Sequence, residues 1–266
     1  MTDRHDKIRS LLDVGSTPTV ETLAERAIAV LASKRSTGSQ VLSERLVVDL
    51  MNSAQSDDAS QMRTAVVDLT HAGIPAEEII DFYIPEAARR LGERWCEDGV
   101  SFADVTIGVA RLQRMLRDLS IDPRQHAFAG KGMASVLVVV VADEYHALGA
   151  MVLTEQFRRI GLSVRLMLGD DTHETQRVVA TGDFDAIFCS LAVVERLGAV
   201  RDLIRSMRQV LPKATPIVVG GAIGNSGLNV KKLTGADHAT SDPQRALRLC
   251  GLTTSHQGAR RRAASE

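Results

Sequence analysis

The sequence predicts two kinds of structure in one chain: a helical bundle in the N-terminal half and a doubly wound parallel sheet, flavodoxin-like or Rossmann-like, in the C-terminal half. Three observations predict it. From Val20 to Ser120 apolar residues recur at three- and four-residue intervals, the period of helices with one buried face. At Ser135–Val141 this gives way to a valine run, as expected for a central parallel strand covered on both faces. Strand-like and helix-like segments then alternate to Cys250, giving five βα units and a five-stranded sheet.

Taken in order, residues 1–19 are polar and broken by Gly15 and Pro18, and read as a flexible arm. Helices are expected over Val20–Lys34, Val41–Ala54 and Asp57–His71, the last stopped by Gly73. Pro75 suits the first turn of a fourth helix, with Glu77 and Glu78 near its positive end and a kink at Pro85. Ser101-Phe102-Ala103-Asp104 has the form of a capping box and opens a last helix through Leu119. The bundle therefore spans 20–120, and Pro123, Gly130 and Gly132 mark 121–133 as a linker. Beyond Ser135–Val141, strands are expected at Ser163–Leu168, Asp185–Leu191, Pro216–Val219 and Asp237–Thr240. Helices are expected at Ala147–Ile160, Thr172–Thr181, Val194–Val210, Asn229–Thr234 and Pro243–Cys250. The α/β domain is thus 134–251, with 252–266 a disordered tail.

Composition removes several classes of function. A formal charge of −1 gives no global basic field, and 3% aromatic residues offer no base-stacking surface for single strands. Cys96, Cys189 and Cys250 are too far apart for a zinc motif or a disulfide framework, which suits a reducing cytoplasm. No signal sequence opens the chain and no apolar run approaches ~18 residues, so a soluble protein without membrane contact is expected.

In doubly wound sheets ligands sit beyond the carboxyl ends of the strands. The first such loop reads Asp143-Glu144-Tyr145-His146-Ala147-Leu148-Gly149 and lacks the G-x-G-x-x-G of a dinucleotide site. A phosphoacceptor receiver would need an Asp at the end of the third strand, where Cys189-Ser190-Leu191 stands instead. What remains is a His and a Gly on the first loop, Ser190 after the third strand, and Gly220-Gly221 after the fourth.

That order resembles the cobalamin-binding domain, whose signature is D-x-H-x-x-G, then S-x-L, then G-G. Here it stands as Glu144-x-His146-x-x-Gly149, Ser190-x-Ala192 and Gly220-Gly221, over roughly residues 133–250. Glu144 replaces the usual Asp, and Ala192 the usual Leu. The resemblance implies that His146 is the axial ligand to the metal and displaces the cofactor's own base. Glu144 would hold the other imidazole nitrogen, fixing tautomer and basicity, with Asp143 as a competitor for that bond. Gly149, Gly220 and Gly221 would allow close approach of backbone to the nucleotide tail, and Ser190 would hydrogen-bond it.

Gly92, Trp95, Gly99, Ser101 and Ala103 resemble the helical module that precedes cobalamin domains in corrinoid carriers and light-sensing regulators. There a Trp covers the upper face of the corrin, and Trp95 is the one Trp in the chain. Photoreceptor members carry W-x9-E-H, but Val105 and Thr106 occupy the last two positions here, so the second His is missing. His5, His71, His126 and His173 are candidates for an upper ligand by residue type alone, and none is assigned that role.

The stretch Ser101–Gly108 resembles instead the AerR/PpaA group of purple-bacterial regulators. Membership of that group implies a non-enzymatic, cytoplasmic antirepressor of photosynthesis genes. It would respond to light or redox state and act on a repressor of PpsR/CrtJ type. Its cofactor would be adenosylcobalamin or hydroxocobalamin, with haem as the alternative tetrapyrrole. DNA contact would be indirect, or weak through Arg260–Arg262. Two other readings stay open: a corrinoid methyl carrier serving a separate methyltransferase, and an interaction module without cofactor.

Overall fold

The structure is a computed structural model, and it describes residues 42–97, 99–120, 133–141, 146–170, 172–212 and 214–252. The expected helix over Val20–Lys34, the linker body and the C-terminal tail lie outside these residues, as do Asp143 and Glu144.

Helix α1 (Glu44–Gln55) and helix α2 (Ala59–His71) come first. Asp58 caps α2 by accepting from the Ser60 N–H at 2.8 Å; the Ser60 hydroxyl, which donates to it at 2.7 Å, and then that N–H hold its carboxyl below the usual range. After Pro75 comes one α-turn (Ala76–Glu78), then a π segment (Ile79–Tyr83), then α3 (Ile84–Cys96). The expected kink at Pro85 is thus a π segment. Pro85 has no N–H to give and its ring crowds the carbonyl four residues earlier, so the backbone widens just before it. Helix α4 (Phe102–Leu119) starts at the expected capping box: Ser101 Oγ accepts from the Asp104 N–H, and the Asp104 carboxylate accepts from the Ser101 N–H, both at 3.2 Å. Apolar side chains of these elements, Leu50, Ile79, Ile84, Leu91, Leu112 and Leu116 among them, are fully buried.

The second half is a five-stranded, all-parallel sheet in the order β2-β1-β3-β4-β5. Its strands are β1 (Ser135–Val141), β2 (Ser163–Asp170), β3 (Ala186–Ser190), β4 (Ile217–Gly220) and β5 (His238–Ala239). The connecting helices are α5 (Leu148–Arg159), α6 (Thr172–Thr181), α7 (Leu197–Arg208) and α8 (Val230–Thr234), and α9 (Pro243–Leu249) closes the described chain. Alternate residues of β1 serve opposite faces. Leu137, Val139 and Val141 meet Val178, Leu203 and Met207 of α6 and α7. Val136, Val138 and Val140 meet Ala150 and Phe157 of α5 and Leu247 of α9. On that second face the Phe157 and Phe188 rings meet edge-on at 4.8 Å.

Burying both faces explains why β1 is a valine run rather than an alternation. The strand order is the flavodoxin-like one, and the chain reverses direction across the sheet at β1 and β3. Among the described residues no helix is long and apolar enough to cross a membrane.

Candidate functional site

Parallel strands put their carboxyl ends on one edge, and the reversal between β1 and β3 opens a crevice there. Val140, Ser190 and Gly220 are register partners across β1, β3 and β4, so they form one row at that edge. Ser190, which ends β3, is half-buried. His146 follows β1, just before α5, and is exposed. Gly149 lies in the first turn of α5, where a Cβ would meet nothing within 4 Å. Ala147, the N-cap of that helix, supplies no side-chain cap. His146, Gly149, Ser190 and the Gly220-Gly221 pair thus lie at strand ends, in the turns beyond them or at the start of the next helix, all on one edge of the sheet. Glu144 lies outside the described residues.

Gly220 and Gly221 have a reason within the chain itself. A Cβ on Gly220 would come 2.7 Å from the Thr240 carbonyl oxygen, and one on Gly221 would come 2.5 Å from that of Leu191. Gly221 also sits at φ +101°, in the region that favours glycine. The Leu191 N–H donates to the Gly220 carbonyl at 2.9 Å, and the Ile223 N–H donates to the Leu191 carbonyl at 3.2 Å. The glycine pair lets the ends of β3, β4 and β5 close on one another and fixes the row that Ser190 occupies. Leu191 is fully buried and Ala192 half-buried.

In the helical half Trp95 stands on the last turn of α3 and is 47% exposed. Its ring centroid lies 5.8 Å from that of Phe102, with the planes tilted by 58°. Phe102 is 67% exposed, the highest value among the large apolar side chains of the described residues. The Gly99 N–H donates to the Arg94 carbonyl at 2.8 Å, tying off the turn between the two helices. Together with the capping box it fixes both ends of the link, so the aromatic corner is held from the backbone. Phe102 carried no role in the sequence reading; its place directly after the cap residue, seven beyond Trp95, is the available signal. His71 and His173 are exposed, whereas His5 and His126 lie outside the described residues.

Among the described residues no group of three His, Cys, Asp or Glu side chains is placed to hold a metal ion. A single imidazole at the sheet edge suits a metal that arrives with its equatorial ligands already in a macrocycle. The exposed imidazole, the open space at Gly149, the half-buried hydroxyl and the exposed aromatic corner fit a large flat ligand of that kind. Cys189 and Cys250 offer no alternative ligand at ordinary pH, since burial pushes both thiols up to about 12.

No protein-family model matches the chain. Among solved structures, the monomethylamine corrinoid protein of Methanosarcina barkeri aligns with a TM-score of 0.61 at 13% identity, over 79% of this chain and 99% of that one. At that identity the likeness establishes a shared fold. Among curated proteins, an uncharacterized 20.5 kDa protein in the bchF-crtJ intergenic region of Rhodobacter capsulatus is 33% identical over 171 residues, 64% of this chain and 89% of the relative. Such identity over nearly all of the relative establishes common descent, and the chain belongs to the family of that Rhodobacter protein.

Proposed function

We propose that the chain binds a corrinoid between the carboxyl edge of its sheet and the Trp95–Phe102 corner, and that it is a regulator rather than an enzyme. The observation that carries the reading is the row of Val140, Ser190 and Gly220 at the sheet edge, with the Gly220-Gly221 turn at one end of it and His146 and Gly149 following β1 on the same edge. His146 would be the axial ligand, Glu144 its supporting carboxylate, and Ser190 a donor to the nucleotide tail. Trp95 would cover the opposite face. When bound, the cobalt centre supplies a ligand-exchange or light-sensitive bond. The protein's part is to present one imidazole, exclude water from the covered face and turn occupancy into a change of shape. The likeness in fold to a corrinoid protein supports the cofactor.

The finer assignment is to the AerR/PpaA antirepressor group, with a PpsR/CrtJ-type repressor as partner in the cytoplasm. It is supported by the relative in the bchF-crtJ intergenic region and by the resemblance at Ser101–Gly108. A methyl carrier is the second reading, favoured by the near-complete coverage of the monomethylamine corrinoid protein.

The test is absorption of the purified chain mixed in the dark with hydroxocobalamin, adenosylcobalamin or haemin, before and after illumination. Retained corrin bands whose change on illumination is accompanied by a change in the hydrodynamic radius of the protein support the regulator. Retained corrin bands with no light-dependent change of shape, and reduced cobalt that takes methyl from a partner enzyme, support the carrier. Haem bands alone keep the regulator and change its cofactor, and no retained pigment leaves a cofactor-free interaction module.

A further inference from the structure

Helix α5 carries the candidate site at one end and a tie to the helical half at the other. His146 and Gly149 stand at its start, and Arg159 is its last residue. Twelve helical residues separate the ends by about 18 Å at ~1.5 Å per residue. Arg159 Nη2 donates to both carboxylate oxygens of Asp81, at 2.5 and 2.6 Å, and the two side chains are 20% and 18% exposed. Asp81 lies in the π segment, whose closing bond runs from the Ile84 N–H to the Ile79 carbonyl. Pro85 follows, so the clamp sits where the helix ladder is weakest.

Beyond Pro85 the chain continues as α3, and Trp95 on its last turn stands roughly 15 Å further on at ~1.5 Å per residue. Two arms of similar length, one from each half, therefore leave a common point, and each bears site residues at its far end. Elsewhere α5 packs against α4 and the π segment. Helices packed side by side can slide past one another by small amounts, whereas the two-oxygen contact of Arg159 with Asp81 fixes a point.

We propose that the Asp81–Arg159 pair is a pivot about which the helical half turns against the α/β half. A ligand held at the far ends of α3 and α5 then sets the angle between the halves. The pivot depends on the corrinoid reading only for what turns it.

Spin labels test it. Cys96 is exposed, whereas Cys189 and Cys250 are buried with thiols pushed up to about 12, so one label goes to Cys96. A second is placed at the exposed position Glu195→Cys, beyond β3. Pulsed electron resonance should give a narrow distance distribution with Asp81 intact. It should widen roughly twofold in Asp81→Asn and narrow again when Asp81→Arg is combined with Arg159→Asp.

In the unlabelled chain Trp95 is the one fluorophore of its type, so its quenching follows binding of hydroxocobalamin. Asp81→Asn should weaken that binding about tenfold, because the ligand must then order a loosened site. A distribution and an affinity unchanged by Asp81→Asn would overturn the pivot and leave the corrinoid reading standing. Equal widening in the single and the reversed variants, with loss of helix, would make the pair a structural strut and also overturn it. No quenching in the unaltered chain would end the corrinoid reading, and the pivot would then stand or fall on the distances.

Discussion

The α/β half buries both faces of its sheet, and its central residues Leu137, Ile187 and Val218 are almost wholly excluded from water. The helical half buries one side of each helix and adds a line of alternating charge, Glu93–Arg89–Glu86–Arg90–Glu44, running along α3 and across to α1. Arg111 of α4 extends this stitching by donating to the Ala54 carbonyl at 2.9 Å and to that of Ser56 at the end of α1. The difference teaches where the molecule can give. Apolar burial responds little to salt or pH, whereas charge pairs near the surface respond to both. The α/β half has surface ion pairs too, Arg208–Asp237 among them, but its sheet is held by burial on both faces; the half with the aromatic corner is the more adjustable one, and the half with His146 is the anvil.

The contrast is broken or sharpened by three changes of decreasing effect. Ile187→Ala empties a fully buried position between two neighbouring strands and should cost ~2–5 kcal/mol in a denaturant titration. A cost below that range would mean that the sheet core relaxes as readily as the bundle. Gly221→Ala should cost ~1–3 kcal/mol for its left-handed φ alone, since the Leu191 carbonyl leaves no room to escape it. A thermal melt unchanged by that substitution would show that the strand ends are not closed on one another.

The third change concerns acid. Arg89 and then Arg90, acting against partial burial, hold the Glu86 carboxyl well below 4.5, at about 2. Its folded value is depressed, so its contribution is complete above pH 4.5 and is lost as pH falls towards 2. Glu44 is shifted in the same direction by Arg90. The emission of Trp95, which reports the helical half, should therefore change over that window before the far-ultraviolet signal of the whole chain does, and Glu86→Gln should flatten that change. Simultaneous loss of both halves in acid would remove the distinction between them.

Much of this was legible in the sequence because its causes are local. A valine run read as a strand covered on both faces, and β1 spans the same residues, Ser135–Val141. Ser101 and Asp104 read as a capping box and form one. Boundaries moved where a cap or turn takes the terminal residues: the helix expected from Val194 starts as a 3-10 turn over Val194–Arg196 before α7. Other features depend on distance in space. Asp81 and Arg159 lie 78 residues apart, and nothing in either neighbourhood announces the partner. The Gly220-Gly221 pair was legible as a motif, but its crowding by the carbonyls of Thr240 and Leu191 was not. Pro85 signalled a kink without specifying a π segment, because a missing N–H and a crowded carbonyl can be met either by bending the helix or by widening it.

The central claim is that a single imidazole at the sheet edge holds a corrinoid. Hydroxocobalamin mixed with the unaltered chain and with His146→Ala, then passed through a desalting column, tests it directly. The account predicts that corrin absorption travels with the unaltered chain, shifted from that of the free cofactor, and is lost or left unshifted with His146→Ala. Equal retention with the same spectrum in both would place the corrin elsewhere and contradict the assignment of His146.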